Sequence, residues 1–376
     1  MPRYAKEITA LLRSMLWGEP LACDGSVLLE PGLWYMARRQ QLDHMLAVWA
    51  MNQNLPILNP QEQKLRVFQN LQRAERQRTI LGDVVGVLRA QGVEPVLIKG
   101  QSMSALYENP DMRVSSDVDL YIGERDYDKM IRVMKEAYRD AHWFSEEHAG
   151  LHFAVVMDEQ QDLAVELHRV AMELHNMPRA DKAFQTFTHE EMEHTRRMRV
   201  GETEVRIPSL SFDALYIFMH AWHHFESSGV GLRQLADWTL ALHAASAEQG
   251  LAERLERVLR SMHMLEIWQT FGWVLVNRFG LPREDMPLYI ETPACARKGE
   301  QLYAQLIKDG HCGRELRLKI YGKTLYYFPY QRPERGRMRQ KVYTLCRMTF
   351  QLTQMRKLFP SYAYRNYIGA LLKKKR

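Results

Sequence analysis

The feature that most constrains the fold is a pair of aspartates inside an apolar stretch, Asp117-Val118-Asp119-Leu120-Tyr121-Ile122. Side chains alternate between the two faces of a β-strand, so Asp117 and Asp119 point to one face while Val118, Leu120 and Ile122 point to the other. Two neighbouring carboxylates repel each other when both are ionised, which costs free energy. A divalent cation removes this cost, and oxygen ligands suit Mg²⁺ or Mn²⁺. The stretch therefore predicts a strand that carries a cation site.

A short apolar run precedes the aspartate pair. Val96-Leu97-Ile98 has a β-branched residue at each end and stops at Lys99-Gly100, a pattern typical of a buried strand followed by a turn. Residues 101–107 then have helix-forming composition up to the break at Asn109-Pro110. The sequence therefore predicts a strand, a glycine turn, a short helix and an acidic second strand, in this order.

A third carboxylate lies on a later predicted strand. The segment Leu163–His168 alternates in polarity, which puts Glu166 and His168 on one face. A carboxylate in the middle of a strand is costly to bury unless it is paired. On a neighbouring strand, Glu166 would complete a three-carboxylate cluster with Asp117 and Asp119.

The combined pattern resembles the bacterial family of uncharacterised nucleotidyltransferases, within the superfamily of DNA polymerase β-like folds. The residues that carry the resemblance are Lys99-Gly100, Tyr107, Arg113, Asp117-Val118-Asp119-Leu120, Glu166-Leu167-His168 and Leu232-Arg233-x-Leu235-x-Asp237. The resemblance spans residues 75–245 approximately. It implies an α+β fold, with a nucleotidyltransferase-type mixed sheet as its core and helical regions on the N-terminal and C-terminal sides.

The resemblance also implies an activity. The chain would move a nucleoside monophosphate from an NTP, such as ATP, to a hydroxyl or similar acceptor and release pyrophosphate. The residues implied to hold Mg²⁺ or Mn²⁺ and to catalyse the transfer are Asp117, Asp119 and Glu166. Those implied to bind the nucleotide are Lys99, Gly100, Ser102 and Arg113. Those implied to line the substrate cleft are His168, His223, Arg233 and Asp237.

Three of these assignments have simpler alternatives. Arg113 fits a phosphate contact, a pairing with the acidic residues, or a surface loop equally well. Arg233 and Asp237 stand at positions i and i+4 and would also form an ion pair within one helix. The histidines at 220, 223 and 224 lack the glutamate and spacing of a zinc-protease motif, which favours substrate contact over zinc binding.

Apolar spacing predicts three regions along the chain: an N-terminal helical region, 1–75; a nucleotidyltransferase core, 76–208; and a C-terminal helical domain with a basic tail, 209–376. Within the core, the spacing predicts helices over 73–90 and 125–138. It also predicts hairpins that pair 151–157 with 163–168 and 197–200 with 204–207. Pro56 and Pro60 indicate a linker before the first of these helices.

Charge is unevenly distributed. Residues 311–376 contain 17 Lys and Arg against 2 Asp and Glu, a net of +15, so the rest of the chain carries −9 because the whole chain carries +6. A basic segment on an acidic body suggests an anionic partner, either RNA or a membrane surface, which would make the acceptor a nucleic acid or a lipid-linked molecule. The alternative is a solvated helical face with a basic tail.

Cysteine usage and hydropathy indicate a compartment. The four cysteines form no Cys-x-x-Cys pair, which argues against a disulfide framework or a zinc site. The N-terminus lacks the apolar region of a signal peptide, and no run of 18 apolar residues predicts a transmembrane segment. We therefore expect a cytoplasmic protein, with peripheral membrane association as an alternative. A catalytically inactive module that binds a nucleotide or a partner is the second interpretation of the same pattern.

Overall fold

A computed structural model describes residues 3–145, 152–158, 163–174, 178–311, 313, 316–320, 323–327, 349, 351–353 and 355–365. Its helices are α1 Ala5–Trp17, α2 Pro31–Arg39, α3 Asp43–Asn52, α4 Pro60–Arg89, α5 Gln101–Ser104, α6 Glu124–Ala137, α7 Pro178–Met192, α8 Leu210–Ser227, α9 Leu232–Ala245, α10 Leu251–Ser261, α11 Leu265–Val274, α12 Pro293–Asp309 and α13 Pro360–Ala363. Its strands are β1 Val96–Ile98, β2 Asp117–Tyr121, β3 His142–Ser145, β4 His152–Asp158, β5 Leu163–His168, β6 Arg196–Val200, β7 Thr203–Ile207, β8 Leu316–Ile320 and β9 Lys323–Tyr327.

The chain forms two compact units, each built from discontinuous segments. The sheet unit consists of His44–Glu173 and Phe184–Ala214. The helical unit consists of Met1–Asp43, Leu174–Ala183 and Leu215–Arg376. The division into regions 1–75, 76–208 and 209–376 stays a prediction.

The sheet unit contains a seven-stranded mixed sheet with the strand order β3-β4-β5-β2-β1-β7-β6. Strand β2 runs antiparallel to β1 and parallel to β5, and β7 joins β1 in parallel. The two predicted hairpins are confirmed, because β4 pairs antiparallel with β5 and β6 pairs antiparallel with β7. The α+β fold class predicted from the sequence is therefore confirmed.

One face of this sheet is apolar and forms the core of the sheet unit together with α4 and α6. The strand residues in this core include Leu97, Val118, Leu120, Val165 and Leu167. Those of β2 and β5 stand at alternate positions, as the two-residue period of a strand requires. The Tyr127 hydroxyl of α6 also donates a hydrogen bond to the Leu167 carbonyl at 3.1 Å. The opposite face of β2 and β5 is left to the polar residues Asp117, Asp119, Glu166 and His168.

Helix α4 differs from its predicted extent. The sequence predicts a helix that begins at residue 73 after a linker marked by Pro56 and Pro60, whereas α4 begins at Pro60 and continues to Arg89. The linker prediction at Pro60 is wrong, because proline fits the first turn of a helix, where its missing N–H needs no partner. The extra turns expose Leu65 and Phe68 to solvent, so the apolar spacing that identifies a buried helix is absent from them.

The helical unit is held together by buried aromatic rings from α8, α9 and α11. Phe218 lies 4.9 Å from Trp238 and 5.1 Å from Trp268, measured between ring centroids. Trp222 packs on Phe271 at 6.0 Å. The Phe218–Trp268 and Trp222–Phe271 pairs meet edge to face, and such contacts add to the free energy of burying the rings. The sequence signal for this core is the helical spacing of large apolar residues.

None of the helices in the described ranges combines the length and the apolar character that crossing a bilayer requires. Most of the basic segment 311–376, including Lys373 to Arg376, lies outside the described residues. The predictions of an RNA or membrane partner for that segment, and of a cytoplasmic location, stay predictions.

Leu88 and Leu65 provide a matched test of the core. Both lie on α4, but Leu88 is fully buried whereas Leu65 is 56% exposed. We expect Leu88→Ala to lower the free energy of unfolding by about 2–5 kcal/mol, because it removes buried methyl groups and leaves a cavity. Leu65→Ala should change it by less than about 0.5 kcal/mol. Urea denaturation followed by circular dichroism measures both values, and equal effects would contradict the assignment of the core face.

A buried carboxylate joins β6 to the start of α8. The Asp213 side chain is 1% exposed and accepts a hydrogen bond from the Arg196 guanidinium at 3.1 Å. Burial raises the pKa of Asp213 to about 7, although the charge and hydrogen bond of Arg196 oppose this shift. The folded state therefore keeps a proton on Asp213 at pH values where the unfolded chain has lost it.

We expect Asp213 to make stability depend on pH. Its raised folded-state pKa stabilises the fold below pH 4 approximately, and the benefit is lost as pH rises towards 7, because there only the folded state still binds the proton. Asp213→Asn stays neutral at every pH and keeps an oxygen that can accept from Arg196. The free energy of unfolding of wild type, measured relative to this variant, should fall between pH 4 and pH 7. Parallel pH profiles would contradict the prediction.

Candidate functional site

The site begins with the register of three neighbouring strands. Asp119 of β2 lies opposite Glu166 of the parallel strand β5, and Ile98 of β1 flanks Asp119 on the other side. Lys99 directly follows Ile98 at the end of β1. His168 pairs with Tyr121, two positions further along the same two strands. This register brings Asp119, Glu166 and His168 to one place on the polar face of the sheet.

The three side chains form what we call the carboxylate–histidine cluster: Asp119, Glu166 and His168. One ligand atom from each residue lies within 4.8 Å of the other two, and no other group of three His, Cys, Asp or Glu residues in the described ranges comes this close. His168 Nε2 lies 2.8 Å from Asp119 Oδ1 and 3.4 Å from Glu166 Oε2. Two carboxylate oxygens and an imidazole nitrogen at this spacing are suitable ligands for a divalent cation.

Asp119 is the most buried member of the cluster. Its side chain is 1% exposed, and the Lys99 ammonium lies 2.7 Å from Oδ1. Its second oxygen, Oδ2, is buried without a hydrogen-bond partner within the described ranges. Leaving a buried acceptor unsatisfied costs roughly 1–3 kcal/mol, and more for a charged group. A bound cation would satisfy this oxygen, so the donor set and the unpaired atom together fit a cation site.

The carboxylates Glu166 and Asp117 have pKa values that are shifted in opposite directions. Burial raises the pKa of Glu166, but hydrogen bonding to His168 and the charge of Lys99 outweigh burial and lower this pKa to about 2. Burial and the neighbouring charge of Asp119 raise the pKa of Asp117. Burial lowers the pKa of His168, but hydrogen bonds to Asp119 and Glu166 outweigh it, so this pKa is raised. Glu166 is therefore kept ionised by His168 and by the positive charge of Lys99.

The turn after β1 has an unusual backbone. Lys99 has φ 57° and Gly100 has φ 50°, and the left-handed region costs a non-glycine residue roughly 1–2 kcal/mol. A Cβ atom on Gly100 would lie 2.7 Å from Ser115 Oγ, so glycine is required there by both conformation and space. The buried Ser102 closes the turn, because its hydroxyl and its N–H both donate to the Lys99 carbonyl, at 2.8 and 3.0 Å.

Helix α4 supports the loop that enters β2. Gln77 donates to the Ser115 carbonyl and Arg73 donates to the Ser116 carbonyl, both at 3.2 Å. Ser116 in turn donates its hydroxyl to Asp117 Oδ1 at 3.2 Å. The sequence analysis missed Arg73 and Gln77. Their i, i+4 spacing on one helix face was the available signal, but nothing local to α4 identifies the loop that they hold.

The remaining predicted site residues of the sheet unit are Asp117 and Arg113. Asp117 lies on β2 one strand period from Asp119, is partly exposed, and does not belong to the carboxylate–histidine cluster. Arg113 is buried and donates to the Val114 carbonyl at 2.8 Å, so the alternative of a solvent-exposed loop arginine is wrong. The charge of Arg113 opposes the overall rise in the pKa of Asp117, and its pairing with the acidic residues or with a phosphate stays a prediction.

The other three predicted cleft residues belong to the helical unit. Arg233 and Asp237 form the i, i+4 ion pair on α9, with the guanidinium 3.6 Å from Asp237 Oδ2. Arg233 also donates to the Gln41 side chain at 3.2 Å. The His223 ring lies on α8, 6.0 Å from the His224 ring. The alternative of an intrahelical ion pair is therefore observed, and the cleft role of His223, Arg233 and Asp237 stays a prediction.

One comparison with known proteins, the match to a family model, agrees with the resemblance noted in the sequence. A similar solved structure is an antigenic nucleotidyltransferase-like protein from Paracoccidioides brasiliensis, which is 12% identical, with a TM-score of 0.33, and the match covers 51% of this chain and 91% of that one. No curated protein matches the chain. A family model described as "Uncharacterised nucleotidyltransferase" matches residues 30–280. This match covers more than half of the 376 residues, and the chain therefore belongs to this nucleotidyltransferase family.

Proposed function

We propose that the sheet unit transfers a nucleoside monophosphate from an NTP to a hydroxyl acceptor and depends on Mg²⁺ or Mn²⁺. The observation that carries the proposal is the unsatisfied Asp119 Oδ2, buried beside Glu166 and His168 in a chain of the nucleotidyltransferase family. A cation bound between Asp119 and Glu166 would give this buried oxygen a partner.

The carboxylates have separate tasks in this proposal. Asp119 and Glu166 would hold the cation between neighbouring strands, with Asp117 as the third carboxylate at the exposed edge. The cation, when bound, would neutralise triphosphate charge and polarise the reacting groups. Glu166 is suited to this task because its low pKa keeps it ionised at neutral pH. Asp117 is less readily ionised before a cation or other positive charge arrives.

The turn after β1 would bind the triphosphate. Lys99 is the cationic side chain nearest Asp119, and lysine serves proteins as a point charge for phosphates. Gly100 allows a ligand to approach the backbone closely. Ser102 would act by closing the turn, since its hydroxyl is already bonded to the Lys99 carbonyl. Arg113 would add positive charge near Asp117.

The transfer step is a substitution at the α-phosphorus. The acceptor oxygen forms a bond to this phosphorus while the bond to the bridging oxygen breaks, pyrophosphate leaves, and the acceptor proton passes to solvent. Catalysis of such a step consists mainly of positioning and charge stabilisation. Holding the triphosphate between Lys99 and the acidic strand supplies both. The acceptor in this proposal is a hydroxyl compound, which includes RNA or a lipid-linked molecule bound through the basic segment 311–376.

Nucleotide binding tests the proposal without knowledge of the acceptor. We expect wild type to bind at least one of the four common NTPs in the presence of Mg²⁺ or Mn²⁺, measured by isothermal titration calorimetry. Asp119→Asn should weaken this binding by at least about tenfold, or 1.4 kcal/mol, because it removes the charge that attracts the cation. The matched control is Asp140→Asn, at an exposed position of the sheet unit.

The two variants make the outcomes distinct. Loss of binding in Asp119→Asn with normal binding in Asp140→Asn supports the transferase site. Metal-dependent binding that is unchanged in Asp119→Asn would place the nucleotide elsewhere and contradict the proposal. Absence of binding for all four NTPs would favour the inactive, partner-binding module.

Removing the charge of Lys99 should change the affinities for Mn²⁺ and for NTP in opposite directions. Its ammonium lies 2.7 Å from Asp119 Oδ1, where it repels an arriving cation. We expect Lys99→Met to strengthen Mn²⁺ binding in the absence of nucleotide, by roughly tenfold, and to weaken NTP binding. Counting free Mn²⁺ by electron paramagnetic resonance measures the first effect, and calorimetry measures the second.

The control for Lys99→Met is Lys64→Met, which removes the same charge from an exposed position on α4 of the same unit. If only net charge mattered, both variants would change Mn²⁺ affinity equally. Weaker Mn²⁺ binding in Lys99→Met would mean that Lys99 supports the cation site and does not compete with the cation.

A further inference from the structure

His168 aims a single atom at both carboxylates of the cluster. Its Nε2 lies 2.8 Å from Asp119 Oδ1 and 3.4 Å from Glu166 Oε2. The side chain is 8% exposed and the Asp119 side chain is 1% exposed. The ring is therefore held in a buried position by its place on β5, with this nitrogen directed at the two groups that would carry a cation.

The spacing of these atoms is that of ligands around one metal ion. Two ligands about 2.1 Å from an ion, at adjacent corners of an octahedron, are about 3.0 Å apart. The observed separations of 2.8 and 3.4 Å lie on either side of this value. The Asp119, Glu166 and His168 side chains, which contact one another without the metal, would therefore need only small shifts to face a common ion.

The donor chemistry is mixed. Mg²⁺ is a hard ion that binds oxygen and keeps much of its water, whereas imidazole nitrogen is a ligand of the first-row transition metals. Two carboxylates and one histidine combine oxygen ligands, which suit Mg²⁺ and Mn²⁺ alike, with a nitrogen ligand that suits transition metals. The remaining positions around the ion would be available to the triphosphate and water.

We propose that His168 Nε2 is a direct metal ligand, which makes the cluster a nitrogen–oxygen site that prefers a divalent first-row transition metal, such as Mn²⁺, over Mg²⁺. This inference rests on the proposed function only in placing the cation at Asp119 and Glu166. It adds a ligand and a metal preference to that site. His168 thereby changes from a residue at the edge of a substrate cleft to part of the metal centre.

Pulsed electron paramagnetic resonance on the full chain with Mn²⁺ alone, without nucleotide, tests the inference directly. An imidazole nitrogen bound to Mn²⁺ produces a ¹⁴N modulation of the electron spin echo. We expect this modulation in wild type, and we expect it to be replaced by a ¹⁵N signal when the protein carries ¹⁵N-labelled histidine. This measurement needs no substitution, so it does not depend on the folding of any variant.

Two substitutions then identify the histidine and its effect on selectivity. His168→Gln should abolish the nitrogen signal, whereas His142→Gln, at an exposed histidine of β3 in the same unit, should keep it. His168→Asp converts the cluster to oxygen ligands alone. We expect it to lower the ratio of Mn²⁺ to Mg²⁺ affinity by roughly tenfold, measured by competition of Mg²⁺ for bound Mn²⁺.

The outcomes separate this inference from the proposed function. A nitrogen signal that is lost in His168→Gln and kept in His142→Gln supports it. Bound Mn²⁺ that depends on Asp119 but shows no nitrogen coupling would overturn the role of His168 and leave the transferase proposal standing. Absence of any Mn²⁺ or Mg²⁺ binding that depends on Asp119 would overturn both.

Discussion

The buried charge of Asp119 is the interaction on which the rest of the site depends. This carboxylate lies between β1 and β5, almost without contact with water, and burying an unpaired charge there would cost several kcal/mol. Lys99 and His168 compensate one of its oxygens, and the other has no partner among the residues that the structure describes. Under the proposed function, a divalent cation would be that partner.

Several features of the sheet unit follow from this requirement. Lys99 reaches Asp119 from a left-handed turn, and that turn requires Gly100 because any Cβ would meet Ser115. Ser115 and Ser116 are held in turn by Gln77 and Arg73 of α4. The strain of the turn is thus supported by a long helix whose C-terminal half packs in the core. A polar site of this kind needs such support, because flexible ligands would lose the geometry that a cation and a triphosphate require.

Much of the fold could be predicted because local patterns encode it. The two-residue period of β2 and β5 identifies which side chains share a face, and this is why Asp117 could be paired with Asp119, and Glu166 with His168, in advance. The strand register could not be predicted, because it depends on contacts between segments distant in the chain. The parallel pairing of Asp119 with Glu166 decides that His168 reaches Asp119 as well as Glu166.

Two further features could not be predicted from local patterns for a related reason. The ion pair of Lys99 with Asp119 arises from a backbone conformation that lysine rarely adopts, so residue type alone does not predict it. The first turns of α4 carry Leu65 and Phe68 on the surface, so hydrophobic spacing gives no indication of the helix there. Local sequence patterns therefore predict neither the Lys99–Asp119 ion pair nor the first turns of α4.

A crystal structure of the chain grown with Mn²⁺ and a non-hydrolysable NTP analogue, with data collected at the manganese absorption edge, would locate the cation directly. We predict an anomalous peak about 2.1 Å from oxygens of Asp119 and Glu166, with the triphosphate against the turn at Lys99 and Gly100. A well-ordered nucleotide or manganese ion bound elsewhere, with the Asp119 and Lys99 pair unchanged, would contradict it.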